Sequence, residues 1–227
     1  MRLTRHWVYE DVLKLGKTGD DNFFLDIGCC MGTDVRKLVV DGYPPNKVIA
    51  SDLCSEFWDI GKKLFKADAE GDKIRFIQED ITELDPKALE SMPSPDNTLA
   101  APNTLSDLHQ RCSVIHISYV FHFFSKEQQY NLACTLASLL SPKPGSIIFG
   151  AQVGLAEAGE RTSAMGYKTF GQCPLSWKEL WVGEGGVFSA DAAECEAKLF
   201  EPEPKDAITP NPIDKKPYLL KWSVKRL

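Results

Sequence analysis

Phe23-Phe-Leu-Asp-Ile-Gly is a short apolar run that closes on Asp26 and Gly28, and a segment of helical spacing, Thr33-Asp-Val-Arg-Lys-Leu-Val-Val, follows it and stops at Gly42 ahead of two prolines. This pattern predicts strand, tight turn and helix. Val48-Ile-Ala-Ser-Asp then reads as a second strand, and Ser55 to Lys66 as a helix with Phe57, Ile60, Leu64 and Phe65 on its apolar face. The rhythm continues: Lys73 to Asp80 predicts a third strand, Ser113 to Ser118 a fourth and Gly145 to Gln152 a fifth, with a helix from about Lys126 to Leu140 before the last. Parallel strands need long crossovers, usually helical, so the expected fold is α/β and Rossmann-like: a mostly parallel central sheet with helices on both faces.

At 227 residues, 43% of them hydrophobic, the chain can bury a large core, and 1–227 reads as one domain. Residues 92–106, rich in Pro, Ser, Asn and Thr, predict a mobile loop. After Gln152 the rhythm changes. Residues 153–227 predict substrate-side elements, with a short amphipathic helix from Ser176 to Trp181, then Ala193 to Phe200 and Tyr218 to Lys225 as an antiparallel strand pair at one sheet edge. No apolar run reaches membrane-spanning length, and the N-terminus lacks the apolar stretch of a secretory signal, so a cytoplasmic protein without membrane contact is expected. A net charge of -6 disfavours nucleic acid, whose phosphates need clustered Lys and Arg, and points to a small-molecule substrate; a monomer and a homodimer are both compatible with it. Seven cysteines with no C-x-x-C pair predict reduced thiols and no metal site.

Asp26-Ile-Gly-Cys-Cys-Met-Gly32 stands where the first strand meets the first helix, the crevice in which open α/β sheets bind ligands. A dinucleotide fingerprint needs glycine at 28, 30 and 33, and here Cys30 and Thr33 interrupt it. Asp26 is a second objection to a pyrophosphate, because its carboxylate repels phosphate and suits an ammonium. S-adenosyl-L-methionine carries that ammonium and has no phosphate. Asp52 ends the second strand, where an acid accepts from both ribose hydroxyls. Asp80 ends the third, placed for the adenine amino group, with Ile81 beside it to cover a ring face. A lone strand-end aspartate is usually a cap or turn former. Three in succession, with Gly28, Cys30 and Gly32 in the first turn, predict a cofactor site.

These residues extend into longer matching stretches: Phe24-Leu-Asp-Ile-Gly-Cys-Cys-Met-Gly-Thr-Asp-Val-Arg-Lys-Leu, Ser51-Asp-Leu, Val114-Ile-His-Ile-Ser-Tyr-Val-Phe-His-Phe-Phe and Pro142-Lys-Pro-Gly-Ser-Ile-Ile-Phe-Gly-Ala-Gln-Val-Gly. The chain thereby resembles the fungal class I methyltransferases of polyketide-terpenoid (meroterpenoid) biosynthesis, which methylate a carboxyl group of a pathway intermediate. Cys-Cys in place of the usual Cys-Gly is particular to that group. The resemblance runs from about His6 to the C-terminal strand pair. It implies Leu53 and Ser118 as further cofactor-binding residues and a methyl ester as product. Members of the group generally carry an N-terminal extension that helps close the site, whereas this chain begins almost at the first core helix. Ala151 stands where they tend to have Arg before Gln-Val-Gly.

Methyl transfer from a sulfonium is an in-line displacement, so the protein has to position an acceptor and exclude water, with no nucleophilic side chain. A carboxylic acid, with a pKa of about 4, is already ionised, whereas a phenol, at about 10, gains from a base. His116 and His122, at the end of the fourth strand, are the candidates. His122 is the better placed, at the site mouth among Tyr119, Phe121, Phe123 and Phe124. Gln152, after the fifth strand, is positioned to orient the acceptor, and Trp177 and Trp181 are expected in the core with one edge toward a bulky apolar substrate. The competing readings are a phenol O-methyltransferase with a His base, and a non-catalytic S-adenosylmethionine-binding relative without an N-terminal lid.

Overall fold

A computed structural model describes residues 3–17, 23–67, 73–94, 101–162, 166–201 and 216–227. A 3-10 turn at Leu3–Arg5 leads into α1 (Tyr9–Lys17), β1 (Phe23–Ile27), α2 (Thr33–Val40), β2 (Val48–Asp52), α3 (Ser55–Phe65), β3 (Arg75–Gln78) and α4 (Pro86–Glu90). Then follow β4 (Cys112–Ile117), α5 (Lys126–Leu139), β5 (Ile147–Gly154), β6 (Gly159–Thr162), β7 (Lys168–Gly171), α6 (Pro174–Trp181), β8 (Ala193–Phe200) and β9 (Tyr218–Arg226). Seven strands form one sheet in the order β3-β2-β1-β4-β5-β9-β8, and β6 and β7 form a separate hairpin. The first five of the sheet are parallel, and β9 inserts antiparallel between β5 and the edge strand β8.

Both faces of the sheet are covered. Phe24, Val114 and Phe149 pack against Val12 of α1, Val35 and Leu38 of α2 and Trp58 of α3. On the opposite face Ile27, Ile115 and Ile148 meet Leu89 of α4, Leu132 and Leu136 of α5 and Trp181 of α6. Trp177, Trp181 and Trp222 are fully buried together on that second face around Phe121. The two α6 tryptophans are therefore core on all sides, without the edge toward a substrate that their spacing suggested. Helix α5 starts on a capping box: Ser125 Oγ accepts from Gln128 N–H at 3.3 Å, and Gln128 Oε1 accepts from Ser125 N–H at 3.0 Å. Ser125→Ala is expected to lower stability by about 1 kcal/mol, read as a shifted urea midpoint at constant slope.

The predicted strands and helices recur with their ends moved by a few residues, and β8 and β9 form the expected antiparallel edge pair. Two expectations are corrected and one element is new. Helix α3 buries Trp58 and Gly61, whereas Phe57, Ile60, Leu64 and Phe65 are between 41% and 61% exposed. The buried side is set by Gly61, which lets the helix sit on Met31, and by Trp58 stacked on Phe76 at 5.0 Å, and a glycine adds nothing to an apolar stripe. Of the loop predicted over 92–106, residues 95–100 lie outside the described ones. Leu105 is fully buried with its N–H on the Glu79 carboxylate at 2.7 Å, and Ser106–Leu108 form a 3-10 turn. The β6–β7 hairpin was not anticipated, because Gly159-Glu-Arg-Thr contains no apolar residue and gives no alternating pattern.

Candidate functional site

The strand order reverses between β1 and β4, and the crevice beyond their C-terminal ends is where such sheets bind ligands. A cavity of about 270 Å³ lies there, lined by the 28–31 turn, Asp26, Thr33, Asp34, His116 and Ser118. The turn is held by Gly28 and Cys29 N–H groups on Ser51 O, at 2.9 and 3.1 Å. Cys30 (φ 52°) and Gly32 (φ 69°) are both left-handed, and a Cβ on Gly32 would lie 2.3 Å from the Trp58 ring. Asp52 is a strut between two loops: Oδ2 accepts from Cys30 N–H at 2.8 Å and Oδ1 from Cys54 N–H at 3.0 Å. Each carboxylate oxygen has a second lone-pair direction, so a strut of this kind can still accept from a ribose diol. Leu53 beside it is 65% exposed. Asp80 caps the turn at Ile81–Glu83, its Oδ1 accepting from Thr82 N and Oγ1 at 2.9 and 2.7 Å, and Ile81 is buried in the core facing α5 instead of standing over the crevice. Asp34, in the first turn of α2, adds a second carboxylate beside Asp26 that the sequence reading missed.

Strand register places Asp26, His116 and Phe149 side by side on one face. His116 Nδ1 lies 2.7 Å from Asp26 Oδ1 and Nε2 lies 2.9 Å from Ser118 Oγ, which also accepts the Ala151 N–H at 3.1 Å. Burial raises the Asp26 carboxyl above the ordinary range, and His116 pulls the other way. His122 sits in the Phe121–Phe123 turn against Tyr119 and Phe123 and lines neither this cavity nor its neighbour. Of the two histidines, then, the structure brings His116 to the crevice. Gln152 pairs with Leu220 and points to the opposite face, where its Oε1 is buried without a partner among the described residues. Residue 151, one position earlier, faces the site instead.

A second cavity, about 130 Å³, shares His116 and Ser118 with the first. Its walls are Leu3, Arg5 and His6 of the N-terminal turn, Tyr119, Ala151, Phe200, Leu219 and Lys221, with Glu201 at the rim. Tyr119 (φ 60°) is held left-handed by its N–H on Ala151 O at 2.7 Å, backbone strain of the kind that gathers at functional sites. Lys221 is the cross-strand partner of Ala151; its Nζ lies 3.3 Å from Arg5 O and over the Phe200 ring at 5.0 Å. The N-terminal turn is fastened by Leu3 N–H to Asp34 Oδ1 at 3.4 Å and by His6 Nε2 to Trp222 O at 3.1 Å. Arg5 and Lys221 were invisible to sequence reasoning, being 216 positions apart and joined only by the insertion of β9.

This sheet order and crevice define the class I S-adenosylmethionine-dependent methyltransferase fold. Solved structures with it include a Burkholderia thailandensis 1,6-didemethyltoxoflavin-N1-methyltransferase with bound S-adenosylhomocysteine (TM-score 0.55, 14% identity, 98% of this chain and 80% of that one). Another is an S-adenosylmethionine-dependent methyltransferase from Mesorhizobium loti (TM-score 0.50, 17% identity, 99% and 100%). By sequence the chain is a relative of fungal methyltransferases. It is 33% identical over 183 residues to O-methyltransferase phiE of a fungal species (80% of this chain, 55% of that protein). It is 31% identical over 179 residues to methyltransferase adrK of Penicillium rubens (76% and 56%), and 34% identical over 131 residues to O-methyltransferase atr3 of Stereocaulon alpinum (57% and 33%). The chain thus spans about half the length, or less, of these relatives. No protein-family model matches it. No helix among the described residues is long and apolar enough to cross a membrane.

Proposed function

We propose that this protein transfers a methyl group from S-adenosyl-L-methionine to the carboxylate of a small apolar molecule, a polyketide or meroterpenoid intermediate, giving a methyl ester. The observation that supports a carboxylate is the pair of cations, Arg5 and Lys221, in the wall of the cavity that shares His116 and Ser118 with the cofactor crevice. The acidic group at that rim, Glu201, is itself paired with Lys216 at 2.8 Å. Lys221 offers from β9 the charge that Ala151, opposite it on β5, does not. Leu3, Phe200 and Leu219 supply apolar walls, and about 130 Å³ admits the reacting end of an acceptor more readily than a whole drug-sized molecule.

The crevice fits the cofactor: Asp26 and Asp34 suit an ammonium, Asp52 is fixed for a ribose diol, and Leu53 offers an apolar surface beside it. When bound, the cofactor supplies a sulfonium-activated methyl group. The acceptor oxygen forms its bond to that carbon as the carbon–sulfur bond breaks, and the sulfur keeps the electron pair. An ionised carboxylate needs no base for this step. The relatives give the fungal small-molecule context; one of them is named an asnovolin E/chermesin D methyltransferase.

The test is turnover of S-adenosylmethionine against a panel of aromatic and alicyclic carboxylic acids with matched phenols. Methyl esters are expected, and Lys221→Met is expected to raise KM for the acid about tenfold, the worth of one charged hydrogen bond, with affinity for S-adenosylhomocysteine unchanged. Methylation of phenols alone would remove the carboxyl reading, and no turnover by a chain that binds S-adenosylhomocysteine would favour the non-catalytic one.

A further inference from the structure

Asp26, His116 and Ser118 come from two strands and the turn after the second, yet they form an unbroken file of hydrogen bonds from the cofactor crevice to the acceptor cavity. The Ser118 hydroxyl has one proton and two lone pairs. The Ala151 N–H occupies one lone pair. The proton and the other lone pair remain for two directions, toward His116 Nε2 and toward the cavity. Whatever Ser118 gives His116, it offers the cavity the opposite. If Nε2 is bare, the hydroxyl points inward and shows the cavity a lone pair. If Nε2 carries hydrogen, the hydroxyl accepts from it and turns its own O–H outward.

Resting on the carboxyl reading above, we propose that Asp26 and His116 together hold two protons, so that Nε2–H turns the Ser118 hydroxyl outward to donate to the acceptor carboxylate. Ser118 is then an acceptor-binding residue, and His116 positions it. The pair has the same outward effect whether its inner proton sits on Nδ1 or on Oδ1, because Nε2 carries hydrogen in both forms.

The surrounding charges favour the second proton. Asp26 is 2% exposed, and an unneutralised carboxylate there would stand near Asp34 of α2 and Asp52 of β2, both of which oppose its ionisation. From the N-terminal turn Arg5 and His6, and from β9 Lys221, line the cavity beside His116, and of these His6 is the group that could take the proton instead. Burial, and then His116, push its pKa down to about 3, so it is neutral at pH 7. Its hydrogen bonds agree: Nε2–H donates to Trp222 O at 3.1 Å and Nδ1 accepts from Val8 N–H at 3.4 Å. Lys221 of β9 acts on His6 in the same direction. A hydroxyl bonded to one carboxylate oxygen leaves the other to attack, and hydrogen bonds to charged acceptors are the strong ones.

The experiment is nitrogen-15 spectroscopy of the histidine side chains in the full chain saturated with S-adenosylhomocysteine at pH 7, with His116 assigned by its loss in His116→Gln. Nε2 of His116 is expected to carry hydrogen, with the inner proton on Nδ1 or on Asp26 Oδ1, and a bare Nε2 overturns the proposal. Ser118→Ala is expected to leave S-adenosylhomocysteine affinity within about twofold while raising KM for the best carboxylic acid of the panel about tenfold, with Ser118→Thr restoring most of it. Equal weakening of both ligands would make Ser118 a cofactor residue and also overturn the proposal. Methylation of phenols alone defeats the carboxyl reading by itself, while the state of Nε2 is read from the spectrum in either case.

Discussion

Gly61→Ala should destabilise the protein by about 2 kcal/mol and weaken S-adenosylhomocysteine binding more than tenfold, the reverse of what helix propensity alone would give. In an exposed helix interior, alanine is favoured over glycine by about 1 kcal/mol. At this position of α3 the added Cβ would lie 2.1 Å from Met31 O and 2.8 Å from Met31 C, so backbone has to move. Met31 O also accepts from Arg36 Nη1 at 2.7 Å, and that guanidinium lies over Trp58 at 4.3 Å, so the displacement reaches the helix side of the crevice. Denaturant titration and calorimetry would read both numbers. A stabilised Gly61→Ala would mean that α3 does not bear on the cofactor turn.

For Asp52→Ala the expected loss of S-adenosylhomocysteine affinity is about 2–3 kcal/mol, roughly 30- to 150-fold. Two causes add. The carboxylate is the expected partner of the ribose, and it also ties Cys30 N–H to Cys54 N–H, so its removal strands two amides and loosens both loops. Asp52→Asn separates these causes poorly by design: its single acceptor oxygen can serve one amide, and its NH₂ group would face the other. It should therefore fall close to alanine. An Asn variant of native affinity would show that neither the charge nor the double acceptance matters, and the ribose assignment would go with it.

The parallel half of the fold was legible because its signal is local. Each of β1, β2, β4 and β5 is a short apolar run next to a helical one, and burial on both faces removes any ambiguity of alternation. The turn after β1 and the acid ending β2 were legible for the same reason, since both follow from strand ends alone, whereas Ile81 turns into the core and Asp34 went unread. The acceptor side was not. Choosing His116 over His122 requires the β1–β4 register, Gln152 was set aside by a one-residue alternation, and Arg5 meets Lys221 only because β9 crosses back between β5 and β8. The misjudged face of α3 has another cause: hydrophobic periodicity marks where apolar side chains lie, whereas the packed side of that helix is chosen by a residue with no side chain.

The position of β9 also imposes an order of assembly. Every residue lining the cofactor crevice lies within residues 26–118 and so leaves the ribosome before β9 does. The acceptor cavity cannot form so early. Among the described residues strand β8 pairs in the main sheet only with β9, and the N-terminal turn waits for Trp222 and Lys221, made later, to hold it in place. A nascent chain would accordingly hold every residue of its crevice before it holds those of the cavity beside it.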